Sequence, residues 1–236
     1  MKKTFTATLA LSALASLALA TSIDTPAAGY IEMTGSSSAQ LVSNPFWSFT
    51  NDVMTLGDID GSLLDSGDAI KVINSNGKVL FAAGWYDGAW YDFSDNNHVA
   101  SSNSFPLARG TSIQFVSDNG KSLVFSGVLT NVDATVTYTA KGNVFAGNVS
   151  PVAKTLASLS FSNFRPDYDF VDVGGEKYVY VPKKGKWYKR SDYQNATSYS
   201  GLTDYSSTSI AAGQGVRIYC GRASANDLTA TFPGSY

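Results

Sequence analysis

The sequence predicts an all-β protein of two tandem, homologous antiparallel units, each a β-sandwich or barrel-like sheet. Three observations carry that expectation. Val, Ile, Thr, Tyr, Phe and Trp gather in short runs separated by Gly, Asn, Asp and Ser, the pattern of strands punctuated by turns. Asn-Gly and Asp-Gly pairs stand between successive runs, and they supply the positive φ angles that a two-residue hairpin turn demands. The same order of motifs then occurs twice along the chain.

Taken in order, Met1-Lys2-Lys3, a charge-free Ala/Leu-rich stretch and Ala18-Leu19-Ala20 have the form of a secretory signal, so residues 1–20 are set aside as a cleaved leader. Ala69 to Ile73, a second run from Lys78 to Tyr86 and Ala89 to Phe93 read as a three-stranded meander, turning at Asn76-Gly77 and Asp87-Gly88. Thr111 to Ser117 and Lys121 to Val128 form a further hairpin through Asp118-Asn119-Gly120. Gly88-Ala89-Trp90-Tyr91 then recurs as Gly185-Lys186-Trp187-Tyr188, 97 residues later. Leu107 to Phe115 aligns without gaps on Ile210 to Ile218, Gly174-Gly175 answers to Asn76-Gly77, and Asn44-Pro45 precedes the first meander as Ser150-Pro151 precedes the second. The expected units are residues 21–131 and 132–236, joined at Leu129 to Thr135 without a flexible linker. An apolar set at helical spacing is missing except at Ala153 to Leu159, where a short helix is allowed.

Gly29-Tyr30-Ile31, Asn44-Pro45-Phe46 and Leu107-Ala108-Arg109-Gly110, behind the secretory signal, resemble uncharacterised exported bacterial proteins with a duplicated β-domain. The resemblance implies export and an all-β fold, and it transfers no catalytic residue.

Composition narrows function more than any motif does. The chain has 236 residues, with 44% hydrophobic, 13% aromatic and 15% charged residues and a formal net charge of −2. One cysteine, Cys220, rules out an internal disulfide framework, and its strand-like surroundings predict a buried thiol. One histidine, His98, in a polar loop leaves little from which to build a catalytic triad or a zinc site. A near-neutral chain is a poor nucleic-acid binder, because phosphate neutralisation supplies most of that affinity. No segment after the leader is long and apolar enough for a transmembrane helix. No motif supports an enzyme, and no cofactor is expected, with calcium the one ion for which a site can be suggested.

Three candidate sites remain. Trp85, Trp90, Tyr91, Trp187 and Tyr188 lie on the two repeated hairpins, and one ring of each consecutive pair would face outward as a platform for sugar stacking. Asp87, Asp92, Asp95, Asn96 and Asn97 stand nearby as hydroxyl partners, although Lys184 and Lys189 replace Asp87 and Asp92 in the second unit. Asp58, Asp60 and Asp65 resemble a calcium loop that lacks the third acid and the closing Glu of an EF-hand. Lys183, Lys184, Lys186, Lys189 and Arg190 form a basic run, read as an assembly patch for an acidic partner such as the Asp-rich face of a second copy. The expectation is a secreted or cell-surface structural or adhesive protein, able to self-associate. A carbohydrate-binding protein using the Trp/Tyr hairpins is the alternative. A small outer-membrane β-barrel is the third reading, since the sequence given finishes on the aromatic Tyr236, although Pro233-Gly234 interrupts the last strand.

Overall fold

The computed structural model describes residues 28–49, 53–73, 79–93, 103–110, 112–138, 141–221 and 228–235. Residues 1–20, expected to be a leader, Asn76-Gly77 and the loop carrying Asp95, Asn96, Asn97 and His98 lie outside them. The chain is all-β. The first half contains β1 (Ala28–Thr34), β2 (Gln40–Ser43), β3 (Met54–Thr55), β4 (Ala69–Ile73), β5 (Val79–Tyr86), β6 (Ala89–Asp92), β7 (Pro106–Leu107), β8 (Ser112–Val116) and β9 (Ser122–Val128). The second contains β10 (Ala134–Tyr138), β11 (Gly142–Gly147), β12 (Lys154–Thr155), β13 (Ser160–Ser162), β14 (Phe170–Val173), β15 (Glu176–Val181), β16 (Lys186–Lys189), the short helix α1 (Arg190–Asn195), β17 (Ser209–Ile210), β18 (Gly215–Cys220) and β19 (Leu228–Phe232).

Each half carries one five-stranded antiparallel sheet, ordered β2-β8-β4-β5-β6 in the first and β11-β18-β14-β15-β16 in the second. Opposite it lies the pair β1-β9 in the first half and β10-β19-β13 in the second. A two-stranded ladder completes each half, β3-β7 and β12-β17. The order of the five-stranded sheets is therefore the same in both halves, with β13 and α1 as additions in the second. No sheet closes into a barrel among the described strands, so the barrel-like form is replaced by open layers.

Local chemistry explains the hairpins. Asp87 and Gly88 both have positive φ, at 49° and 80°, as a two-residue turn between right-twisted strands requires. Gly174 and Gly175, at 61° and 91°, do the same between β14 and β15. Ala153 to Leu159 differs from expectation: β12 and a single 3₁₀ turn at Leu156–Ser158 occupy it. Among the described residues the α-helix lies at Arg190–Asn195, where six residues are too few to show an apolar period.

Alternation places one face of each five-stranded sheet against its opposing layer. The first core unites Ile31, Leu123 and Phe125 of the smaller layer with Val42, Ile70, Ile113, Phe115 and Trp90 of the larger. The second unites Leu228, Ala230 and Phe232 with Val171, Tyr178, Val216, Ile218 and Trp187. Cys220 is buried in the second core as an unpaired thiol. Its counterpart in strand order, Ser117, is also buried, and its hydroxyl accepts the Lys121 N–H at 2.8 Å.

A buried asparagine pins the chain where it leaves the first strand of each large sheet. Asn44 accepts the Phe46 N–H and donates to the Leu107 carbonyl, both at 2.8 Å. Asn148 accepts the Ser150 N–H at 2.9 Å and donates to the Ile210 carbonyl at 3.2 Å. The structural counterpart of Asn44 is thus Asn148; the alignment of Asn44-Pro45 with Ser150-Pro151 is displaced by two residues, because the side-chain role repeats and the Pro spacing does not.

Candidate functional site

The hairpin aromatics do not form the expected platform. Trp90 and Trp187 are 0% and 1% exposed, and Tyr188 is buried as well. Trp187 packs against Phe161, Phe164 and Tyr180 at centroid distances of 5.3–5.9 Å, and Trp85 sits edge-on to Trp90 at 5.3 Å. Both Trp rings point into the core because they fall on the inward parity of β6 and β16. Tyr91 is half-buried on the opposite, outward face, edge-on to Tyr86 at 6.2 Å. The second half covers the corresponding face: α1 and the turn after it lay Tyr199 over Tyr188 at 6.3 Å.

That cover builds the concavity with the clearest chemistry. Tyr188, Tyr199 and Tyr193 form a stacked ladder, with successive centroids 6.3 and 6.0 Å apart and interplanar angles of 21° and 22°. Tyr199 is the central ring and the most exposed of the three, at 42%. Tyr193 donates its hydroxyl proton to Asp167 at 2.9 Å. Burial and that bond hold the Tyr193 phenol above the ordinary tyrosine range, so it remains a neutral donor. Asp167, Tyr193, Gln194, Thr197, Ser198 and Tyr199 line a shallow pocket of about 500 Å³. Exposed aromatic surface edged by a carboxylate, an amide and hydroxyls suits a pyranose, which offers apolar C–H groups and a rim of hydrogen-bonding hydroxyls. The sequence reading missed Tyr199, because it follows a non-strand segment and meets Tyr188 only after the chain folds back.

The Asp-rich loop serves as local scaffold. Asp58 accepts the Thr55 N–H at 2.7 Å and caps a 3₁₀ turn. Asp60 accepts the Ser62 N–H at 2.9 Å, which lowers its pKa. Asp65 pairs with Lys121 at 3.5 Å and accepts from Asn119 at 3.0 Å. Among the described residues no three His, Cys, Asp or Glu side chains gather as a metal-binding group. Capping accounts for Asp58 and Asp60 in this loop, Asp being a preferred capping residue.

The basic run divides. Lys189 bonds Glu176 at 2.8 Å, and Lys186 pairs with Asp204 at 3.4 Å. Arg190 lies over the Phe170 ring, 4.6 Å from its centroid. Lys183 and Lys184 are exposed at the hairpin tip.

A second concavity lies between the halves. The cross-strand pair Ser43–Ser112 packs against Gly147–Gly215, which occupies the same place in the second sheet; a Cβ at Gly147 would overlap Ser43, and one at Gly215 would overlap Ser112. Beyond this contact the sheets part, and Leu41, Gln114, Phe145, Gln214, Asp172 and Arg217 help line a groove of about 750 Å³. Arg109 fastens the junction. Its guanidinium donates to the carbonyls of Pro45 at 3.0 Å and Val149 at 2.9 Å, and to those of Thr130 and Val132 in the connecting segment.

Compared with protein-family profiles, curated proteins and solved structures, the chain matches none.

Proposed function

We propose that the chain is an exported adhesive protein, acting at the cell surface or outside it, that holds a glycan in the tyrosine pocket of its second half. The carrying observation is the Tyr188–Tyr199–Tyr193 ladder, whose central ring is exposed beside Asp167, Gln194, Thr197 and Ser198. The composition supports a contact role: charge is sparse, aromatics are abundant and the leader has the form of an export signal. In the same reading the two halves descend from a tandem duplication, which the shared strand order and the paired Asn44 and Asn148 support. The loops have since diverged, and α1 has given only the second half a ladder among the described residues. Assembly through the basic run has lost ground, since Lys186 and Lys189 are paired within their own half.

The test is binding of the protein to an oligosaccharide array, followed by calorimetry on the best ligand. Tyr199→Ala, at an exposed ring whose removal leaves the core intact, is expected to weaken binding at least tenfold with an unchanged circular dichroism spectrum. Undiminished binding by Tyr199→Ala would overturn the proposal.

A further inference from the structure

On the outward face of the second large sheet, three cations converge on one aromatic ring. Arg190 from α1, Lys177 from β15 and Arg217 from β18 lie 4.6, 5.7 and 5.9 Å from the centroid of Phe170 on β14. Tyr219 stacks beside that ring at 5.0 Å. Ring quadrupoles attract each cation, but three like charges around one ring also repel one another. The carboxylate bound within the cluster is Asp172, which accepts from Arg217. Glu176, next to Lys177, hydrogen-bonds Lys189 instead. The Arg190 Nε is buried without a hydrogen-bond partner among the described residues. Lys177, Lys189, Arg190 and Arg217 thus face the carboxylates of Asp172 and Glu176, so these cations outnumber these carboxylates by two, on a chain whose net charge is −2, and the Arg190 N–H is still unused.

The cluster also connects the two concavities. Arg217 and Asp172 line the groove between the halves. Helix α1 carries Arg190 at its first residue and Tyr193 and Gln194 further on, and the latter two line the tyrosine pocket. The cluster thus shares α1 with the pocket at one end and lends Arg217 and Asp172 to the groove at the other, with the buried Phe170 ring beneath the cations. A neutral oligosaccharide in the pocket would leave that excess of positive charge unmatched, whereas a chain bearing acidic groups would complement it.

We infer that the site takes a linear anionic glycan, a polymer bearing carboxylate or sulfate groups, which runs from the tyrosine pocket over the Lys177–Arg190–Arg217 cluster toward the groove. This rests on the glycan reading of the pocket and narrows it to one ligand class. Acidic groups complement the cluster, and guanidinium groups form paired hydrogen bonds to carboxylate or sulfate oxygens. The tyrosine ladder supplies the stacking that makes the ligand a sugar rather than any polyanion.

The experiment measures binding of the full chain to polygalacturonate, dextran sulfate, neutral dextran and polyglutamate, at low and at physiological salt. The variants are Lys177→Gln/Arg190→Gln and Tyr199→Ala. Arg217 is left in place because its loss would strand Asp172. The double variant is expected to lose at least tenfold in affinity for one of the anionic glycans, and binding of that polymer by the native protein is expected to fall with salt. Preference for polygalacturonate identifies carboxylate as the recognised group, and preference for dextran sulfate identifies sulfate. Equal binding by the native protein and the double variant overturns the cationic path; if Tyr199→Ala still weakens binding, the glycan pocket stands without it. Polyglutamate bound as tightly as the best glycan overturns the ligand class and points to an acidic protein. Failure of both anionic glycans at low salt also overturns the inference, and neutral dextran bound in a Tyr199-dependent way would then preserve the simpler reading.

Discussion

Arg109→Ala tests whether the two halves are held as one unit, because this side chain bonds both halves and the segment between them. Its acceptors are unequal. The Pro45 and Val149 carbonyls belong to buried residues, at 3.0 and 2.9 Å, whereas Thr130 and Val132 lie in the more exposed connector, where water can replace the guanidinium. A hydrogen bond involving a charged group contributes about 1.5–3 kcal/mol, so losing the two buried ones costs roughly 3–6 kcal/mol before relaxation. The guanidinium is itself half-buried, and burial lowers its pKa, so removing it recovers part of its desolvation cost. A net loss of about 2–3 kcal/mol is the expected result. Urea unfolding followed by tryptophan fluorescence reads it, and the chain has four Trp residues to report. Arg109→Lys discriminates between causes: a point charge cannot reach carbonyls on both sides as the planar fork does, so Lys should lose nearly as much as Ala. A change below about 0.5 kcal/mol in Arg109→Ala would refute the reasoning, and full retention by Lys would show that charge, not the fork, matters.

Two further expectations follow from the placement of the aromatics. Trp187→Ala removes a fully buried ring among Phe161, Phe164 and Tyr180 and should cost about 3–5 kcal/mol, whereas Trp85→Ala, at a half-buried position, should cost clearly less in the same unfolding assay. A folded Trp187→Ala protein with normal stability and lost glycan binding would restore the hairpin platform. Tyr193, whose raised pKa comes from burial and its bond to Asp167, should keep its proton beyond the pH at which an exposed tyrosine ionises. Its folded-state pKa lies above the unfolded one, so its contribution is complete below about pH 10 and fades as pH rises further; ultraviolet titration of native protein against Tyr193→Phe checks this, and a Tyr193 signal near pH 10 would contradict it.

Much of the scaffold was legible because strand and turn chemistry is local. Asp87-Gly88 takes positive φ at both positions, as its composition requires, and the β5–β6 register sets Trp85 opposite Trp90. The repeated motifs of the two hairpins lie on β5-β6 and β15-β16, which hold the same place in strand order. Even so, the sequence could not say which member of Trp90-Tyr91 faces inward. Period-two alternation assigns consecutive side chains to opposite faces without naming the buried one. Nor could it show that the face of Tyr188 would be covered, since that depends on a six-residue helix and a turn folding back over the sheet.

The sequence by itself determined the all-β class, the hairpin turns and an inventory too poor in His and Cys for many kinds of site. Those properties depend on neighbours a few residues apart. Only the tertiary structure decided which aromatics were core, turned Asp58 and Asp60 into caps, and gathered Lys177, Arg190 and Arg217 around Phe170. These side chains come from different strands and a helix, and sheet pairing brings them together; no spacing along the chain encodes that meeting.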